Sequence, residues 1–385
     1  MRLAGDPSLF VPKAYYFSYY AAGACLMPFL VLYYRQLGLS GPQIGLLAGL
    51  APVVTWLSAP LWGLLADALQ RHRLLLLVAI VGAITAALTL AQATAFGWLL
   101  VVVAAYAFFV APIMPLVDNS VMALLGARSA EYGKQRLWGA VGWGLAGAGA
   151  GVLVERLGAS MSFYAYASWM ALGLLVALRL PISRAPIGQS VRLALRGLAA
   201  NSQLLVFLAT VLVAGMAMST VHSFLFLYLL DLGASEALMG LSLTVATVSE
   251  LPVFFFSDRL LRWMGARGLL LLSLAANVAR LGAYALMPAA WLVLPINLLH
   301  GLTFSAMWVA GVSYANQIAP VGMGATVQGL FSGMVMGLGA AAGALLGGAL
   351  YDSVGPARMY GVAALCVGLG ILFFWRAGRA AVNQR

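Results

Sequence analysis

The chain has 385 residues, of which 63% are hydrophobic and only 8% charged, with a mean hydropathy of +0.99. Soluble domains carry roughly 25% charged residues, so this composition excludes a water-soluble enzyme or binding module. The net charge of +11 would suit nucleic acid only if the basic residues gathered on one face or tail; they are spread over short loops, and no nucleic-acid partner is expected.

Residues 1–12 form a short lead-in, and the apolar segment after them has Tyr-rich flanks and no small-residue cleavage site, so no signal peptide is read. From there apolar runs alternate with short polar stretches. They predict helices at 13–35, 43–66, 73–91, 97–125, 136–155 and 161–180, then at 203–230, 237–257, 268–287, 291–318, 324–350 and 358–376. Crossing the hydrocarbon takes about 20 helical residues, and helices are required because lipid leaves no water to satisfy a free backbone. With twelve spans and the N-terminus inside, every Lys and Arg falls on an inner segment except Arg35, Arg156 and Arg358 outside and Arg280 within a helix. The positive-inside bias therefore predicts a multi-pass protein of the cytoplasmic (inner) membrane with both termini cytoplasmic. Cys25 and Cys366 both lie in apolar helices, so neither a disulfide nor a metal site is expected.

The chain also repeats itself. Leu37–Leu46 (LGLSGPQIGL) and Leu232–Leu241 (LGASEALMGL) share L-G-x-S-x-x-x-x-G-L about half the chain apart, each leading into the second helix of a half. Asp67 near the end of the second helix is likewise matched by Asp258 near the end of the eighth, each followed by arginines. The expected fold is all-α: twelve transmembrane helices in two six-helix pseudo-symmetric bundles, 1–180 and 202–385, joined by a cytoplasmic linker at 181–201. Parallel repeats of this kind are a transporter architecture.

Ionisable groups within spans cost at least ~2.5 kcal/mol each at the helix centre, which makes each a functional candidate. They are Asp118, Glu250, Arg280 and His300, with Arg136 near a helix start. Structural readings stand beside the functional ones: an interhelical salt bridge for Asp118 and Arg136, a structural pair for Glu250 and Arg280, a core hydrogen bond for His300. Trp143 reads equally as packing, and Tyr16, Tyr19 and Tyr20 as a boundary stripe, with Tyr19 taken as a candidate substrate contact. The runs Gly139–Gly151 and Gly333–Gly348 have small-x-x-x-small spacing suited to close helix approach. No phosphate loop, nucleophile elbow or cluster at metal-ligand spacing occurs, so neither an ATP-driven pump nor an enzyme is expected, and no cofactor.

The segment Gly63–Arg73, GLLADALQRHR, resembles the G-x-L-x-D-x-x-x-R-x-R signature of the major facilitator superfamily. The resemblance implies a conformational latch at Gly63, Asp67 and Arg71, repeated at Asp258 and Arg259, that helps hold the outward-facing state through charge-assisted bonds. A sharper resemblance, over most of the chain, is to the lactose permease (oligosaccharide:proton symporter) group and the phenylpropionate-type permeases. It rests on Pro115-Leu-Val-Asp118 and on Glu131-Tyr-Gly-Lys-Gln-Arg136-Leu-Trp-Gly-Ala-Val-Gly-Trp143, and implies a sugar site at Asp118, Arg136 and Trp143. A carboxylate and a guanidinium offer acceptors and donors to hydroxyls, and an indole packs on a sugar face. Arg136 and Trp143 share a helix face.

Arg280 and His300 match that group's proton-coupling residues, but its proton-carrying Glu is replaced by Thr303, and Asn297 and Met336 stand where it has Lys. His222 is the only titratable interior residue of the seventh helix, and Glu250 is placed as in the phenylpropionate-type permeases. The expectation is a monomeric secondary transporter that takes a small polar solute, a sugar or glycoside, together with a proton, by alternating access. In it Glu250 accepts the proton, Arg280 is the counter-charge and His300 the relay. A small aromatic carboxylate is the alternative solute, and a non-transporting membrane sensor or scaffold the remote one. The remaining partner is membrane lipid.

Overall fold

A computed structural model describes residues 9–180, 201–320 and 323–382. Among them there is no strand, and twelve helical segments follow one another. In chain order these are α1 (Phe10–Gln36), α2 (Gly41–Leu69), α3 (His72–Leu90), α4 (Phe96–Leu125), α5 (Tyr132–Leu157) and α6 (Met161–Ala177). Then come α7 (Ser202–Asp231), α8 (Glu236–Phe255), α9 (Ser257–Ala285), α10 (Ala290–Asn297 with Gly301–Ile318), α11 (Thr326–Val354) and α12 (Pro356–Val382). Ten are long and apolar enough to cross a membrane, eleven with the bent α10; α6, at 17 residues, is the short one. Leu61, Leu145, Leu175 and Leu365, each more than half exposed, belong to a surface made for lipid rather than water. The expected linker at 181–201 lies outside the described residues except for Asn201, whose side chain caps α7 by accepting from the Leu204 N–H at 3.1 Å.

Several helices depart from regular predicted spans, among them α1 with a 3-10 turn at Met27–Phe29 and α11 with a π-helical stretch at Gly333–Gly339. α4 is interrupted at Ala111–Pro112, where a proline removes a ladder donor. α10 bends by 49° and continues as a π-helical turn, Gly301–Ser305. α9 starts well before the predicted 268, because Ser257–Met264 is itself helical and breaks only at Gly265, whose φ of +68° suits glycine alone.

By contact the chain divides into two compact units. One comprises Met1–Leu39, Val53–Gln189 and Ser235–Thr244; the other comprises Ser40–Pro52, Ser190–Ala234 and Val245–Arg385. Within the first, α1 packs on α5 and α6, and α3 on α4 and α6. Glycines permit the α1–α5 contact: a Cβ on Gly142 would run into the Phe17 carbonyl, and one on Gly139 into the Tyr20 ring. Within the second, α7 packs on α11 and α12, and α9 on α10 and α12.

The L-G-x-S-x-x-x-x-G-L repeat has a physical meaning at both places. Gly38 (φ +76°) and Gly233 (φ +75°) end α1 and α7 in the left-handed region. The next residues close the turn, Leu39 N–H to the Tyr34 carbonyl at 3.2 Å and Ala234 N–H to the Leu229 carbonyl at 2.9 Å, which is a Schellman stop. The serine then caps the next helix. Ser40 does so with Gln43, whose Oε1 accepts from the Ser40 N–H at 2.9 Å, and Ser235 Oγ accepts from the Leu238 N–H at 3.3 Å. The last glycine removes a side chain where backbones touch, Gly45 against the Ala344 carbonyl and Gly240 against the Gly147 carbonyl.

Candidate transport site

In the first unit the break in α4 is followed by Asp118, and the second turn of α5 carries Arg136. Arg136 Nη1 donates to Asp118 Oδ2 at 2.9 Å, with the two side chains 43% and 28% exposed. Three tyrosines complete the arrangement. Tyr16 donates to Asp118 Oδ1 at 2.6 Å, Arg136 Nη1 donates to the Tyr132 hydroxyl at 2.9 Å, and Arg136 Nη2 donates to the Tyr20 hydroxyl at 2.8 Å.

The pair still has bonding capacity. A guanidinium has five N–H groups and a carboxylate about four acceptor sites, so the four bonds named leave donor and acceptor sites on Arg136 and Asp118 unused by them. Tyr16 and Tyr20 lie one turn apart on α1 and so face α4 and α5 together. Tyr19, the tyrosine singled out from the sequence, instead meets the Tyr20 ring edge-on at 5.4 Å and stacks at 6.4 Å on Tyr15. Trp143, two turns beyond Arg136, lies beside Gly23, where a Cβ would come within 3.2 Å of the indole.

In the second unit Arg280 is buried, 6% exposed, and is surrounded by neutral acceptors. Nη2 donates to Asn297 Oδ1 at 2.9 Å, Nη1 to Thr303 Oγ1 at 3.1 Å and Nε to the Tyr284 hydroxyl at 3.1 Å. Nη1 also lies 2.8 Å from His300 Nδ1. An arginine only donates, so Nδ1 accepts and the ring proton sits on Nε2. That proton points at Glu250 Oε1, 3.2 Å away. Glu250 thus reaches Arg280 through the imidazole, and the structural pairing weighed from the sequence is an indirect one. The gap between α8 and α10 is set by backbone: a Cβ on Gly301 would strike the Ser249 carbonyl, and Ser249 Oγ accepts from the Gly301 N–H at 2.9 Å.

The latch residues gather less. Gly63 faces open space, Arg71 is exposed at the N-cap of α3, and the Asp67 side chain lies outside the described residues. Asp258 and Arg259 are both exposed, with no ion pair between them among the described residues. Sequence reasoning missed Tyr20, Tyr132 and Tyr284 as ligands of the two arginines. Asn297 and Thr303 had been visible only as departures from a pattern, yet both bind Arg280. Their signal was compensation: where carboxylate and ammonium are replaced together by neutral groups, the remaining charge must find neutral partners.

An all-α bundle of long apolar helices with charges kept inside its spans defines a multi-pass membrane protein. The model of the MFS_1 like family matches residues 9–362, and the chain belongs to that family. It is 31% identical over 366 residues to a maltose permease of Geobacillus stearothermophilus, covering 94% of this chain and 92% of that protein. It is 29% identical over 355 residues to a probable 3-phenylpropionic acid transporter of Escherichia coli (strain K12), covering 88% and 90%. The crystal structure of the nucleoside transporter NupG shares the fold with a TM-score of 0.82 at 18% identity, over 96% of this chain and 98% of that one. A bacterial homolog of the human lysosomal transporter Spinster does so at 0.76 and 14% identity, over 99% of both. The relatives are transporters rather than enzymes, and this chain is a multi-pass secondary transporter of small solutes.

Proposed function

We propose that the protein is a proton-coupled symporter of a sugar or glycoside, working by alternating access as a monomer in the cytoplasmic membrane with both termini inside. The observation that carries this reading is the half-exposed Asp118–Arg136 pair wrapped by the hydroxyls of Tyr16, Tyr20 and Tyr132. Carboxylate, guanidinium and phenols offer fixed acceptors and donors to a polyhydroxylated solute. Trp143 and Tyr19 supply apolar faces nearby. Likeness to a protein named maltose permease supports the same solute class.

The N-terminal bundle, 1–180, carries the solute site and the C-terminal bundle, 202–385, the proton site. Glu250 takes up the proton; His300 Nε2–H donates to its carboxyl and holds that group in position, and Arg280 fixes the imidazole tautomer by donating to Nδ1. Protonation removes a buried negative charge and so lowers the cost of enclosing the loaded site. The latch groups Gly63, Asp67, Arg71, Asp258 and Arg259 act at the cytoplasmic ends of α2 and α8.

The test uses the whole protein in vesicles. Labelled maltose is expected to accumulate under an inward proton gradient, and Glu250→Gln is expected to abolish accumulation while sparing counterflow. Full proton-driven accumulation by Glu250→Gln would refute the carrier assignment. A second reading, uptake of an aromatic carboxylate on Arg136, is favoured by likeness to the 3-phenylpropionic acid transporter; competition of 3-phenylpropionate against maltose in the same counterflow separates the two.

A further inference from the structure

A third cluster lies apart from both, at the start of α9. In each half an arginine near the beginning of the third helix ties it to the end of the sixth. Arg73 Nη2 donates to the Leu180 carbonyl at 3.0 Å, and Arg267 Nη2 donates to the Trp375 carbonyl at 3.1 Å and lies 3.5 Å from that of Phe374. The step from Arg73 to Arg267 equals the step from Leu180 to Phe374, so the two ties are matched. What precedes them is not. Five residues separate Asp67 from Arg73, and eight separate Asp258 from Arg267. The second half therefore holds almost one more helical turn, and that turn belongs to Ser257–Met264, the helical segment set off from the span by the break at Gly265.

Helical spacing gathers three side chains of this segment on one face: Arg262 and Trp263 follow Arg259 by three and four residues, so both are its neighbours. The rings beside them are bare. Trp263 and Phe255 are each 80% exposed and Phe256 49%, the two phenylalanines meeting edge-on at 4.9 Å. Arg259 and Arg262 are exposed too, and neither makes an ion pair or hydrogen bond with another described residue. An uncovered indole is poorly placed in water and well placed among lipid headgroups, where its apolar body and its N–H are both satisfied. A short helix that pairs arginines with aromatic rings in this way lies in the plane of the interface.

The arginines decide which lipid it meets. A guanidinium fork matches the oxygens of a phosphate diester, and two of them against the single carboxylate of Asp258 leave the segment positive. Arg267 and the exposed Arg376 add charge of the same sign where α9 and α12 are tied together. A zwitterionic headgroup would carry an ammonium into this field, whereas an anionic one carries none. Basic residues beside a span attract anionic lipid by about 1 kcal/mol each. We propose that Ser257–Met264 is a binding site for an anionic phospholipid, its phosphate held by Arg259 and Arg262 and its glycerol and first acyl carbons packed against Trp263. The site lies wholly within the second unit and is independent of the solute and proton clusters. Arg262 and Trp263 carry no other assignment, so the test is made on them.

The whole protein in detergent is titrated with palmitoyl-oleoyl phosphatidylglycerol, or with the phosphatidylcholine of the same chains, and the first bound lipid is read by native mass spectrometry. Phosphatidylglycerol is expected to bind about tenfold more tightly than phosphatidylcholine, the size of one charge-assisted contact. Arg262→Gln is expected to remove most of that preference, and Arg262→Lys, which keeps the charge without the fork, to restore part of it. Trp263→Leu is expected to weaken both lipids alike, by about threefold, and so to leave the preference standing. Arg128→Gln combined with Arg179→Gln removes more charge from other exposed positions and is expected to change neither lipid's binding. Equal binding of the two lipids by the parent protein, an unchanged preference in Arg262→Gln, or the same loss in the Arg128 and Arg179 double variant would overturn the proposal. Displacement of phosphatidylglycerol by millimolar inorganic phosphate would overturn it too, as the mark of a small-anion site.

Discussion

Tyr20 and Tyr16 are separated by one helical turn, and each holds one member of the Asp118–Arg136 pair. Removing one such hydroxyl costs on the order of 1 kcal/mol, so Tyr20→Phe is expected to raise the apparent KM for maltose about fivefold with maximal rate retained. Arg136→Lys keeps the charge but loses the fork that spans Asp118, Tyr132 and Tyr20. It is expected to cost tenfold or more, because bonds involving a charged group are worth about 1.5–3 kcal/mol. Both are read from initial rates of counterflow; equal KM values for Tyr20→Phe and the parent protein would remove Tyr20 from the solute site. Asp118 and Arg136 could be picked out of the sequence because charges inside apolar runs are few. Tyr20, Tyr132 and Tyr284 could not, because a tyrosine in a membrane helix is common and only its neighbours in space distinguish a ligand from a packing ring.

Two helix contacts made of backbone carry the clusters. Gly142 brings α5 against Phe17 of α1, and Gly301 brings α10 against Ser249 of α8. Adding a methyl group at either place forces a shift, an overpacking cost of about 1–3 kcal/mol. Gly142→Ala is expected to lower the thermal unfolding midpoint in detergent and to weaken maltose binding, since Tyr20 moves with α1. Gly301→Ala is expected to leave maltose binding intact while impairing accumulation, since it parts His300 from Glu250; the ratio of counterflow to accumulation measures this. Apolar run lengths and the repeated Leu-Gly-x-Ser made the helices legible to within a few residues. The bend of α10 and the break in α4 were not, because Pro112, Pro115 and Pro295 mark a place of weakness without saying which way a helix turns. The early start of α9 was hidden for a different reason: its first eight residues carry Asp258, Arg259 and Arg262 and read as a polar loop until Gly265 is seen to end a helix.

For the molecule as a whole, the repeat goes further than one motif. Helix stops, serine caps, crossing glycines and the acids Glu155 and Asp352 all recur at matching places, so the segments 40–52 and 235–244 are built alike.

The company kept by Arg280 has an electrical side. Its guanidinium is stabilised by an amide, two hydroxyls and an imidazole, none of which carries a negative charge. With Glu250 ionised the cluster sums to zero; with Glu250 protonated it carries one unit of positive charge. Membrane potential acts on charge at about 2.3 kcal/mol per unit per 100 mV, so under the coupling proposed for Glu250 a negative interior is expected to pull the loaded form inward and to leave the return of the empty form almost untouched. Uptake of a neutral sugar should then rise when a potassium diffusion potential, negative inside, is imposed at equal pH on both sides, and Glu250→Gln should make the remaining exchange indifferent to it.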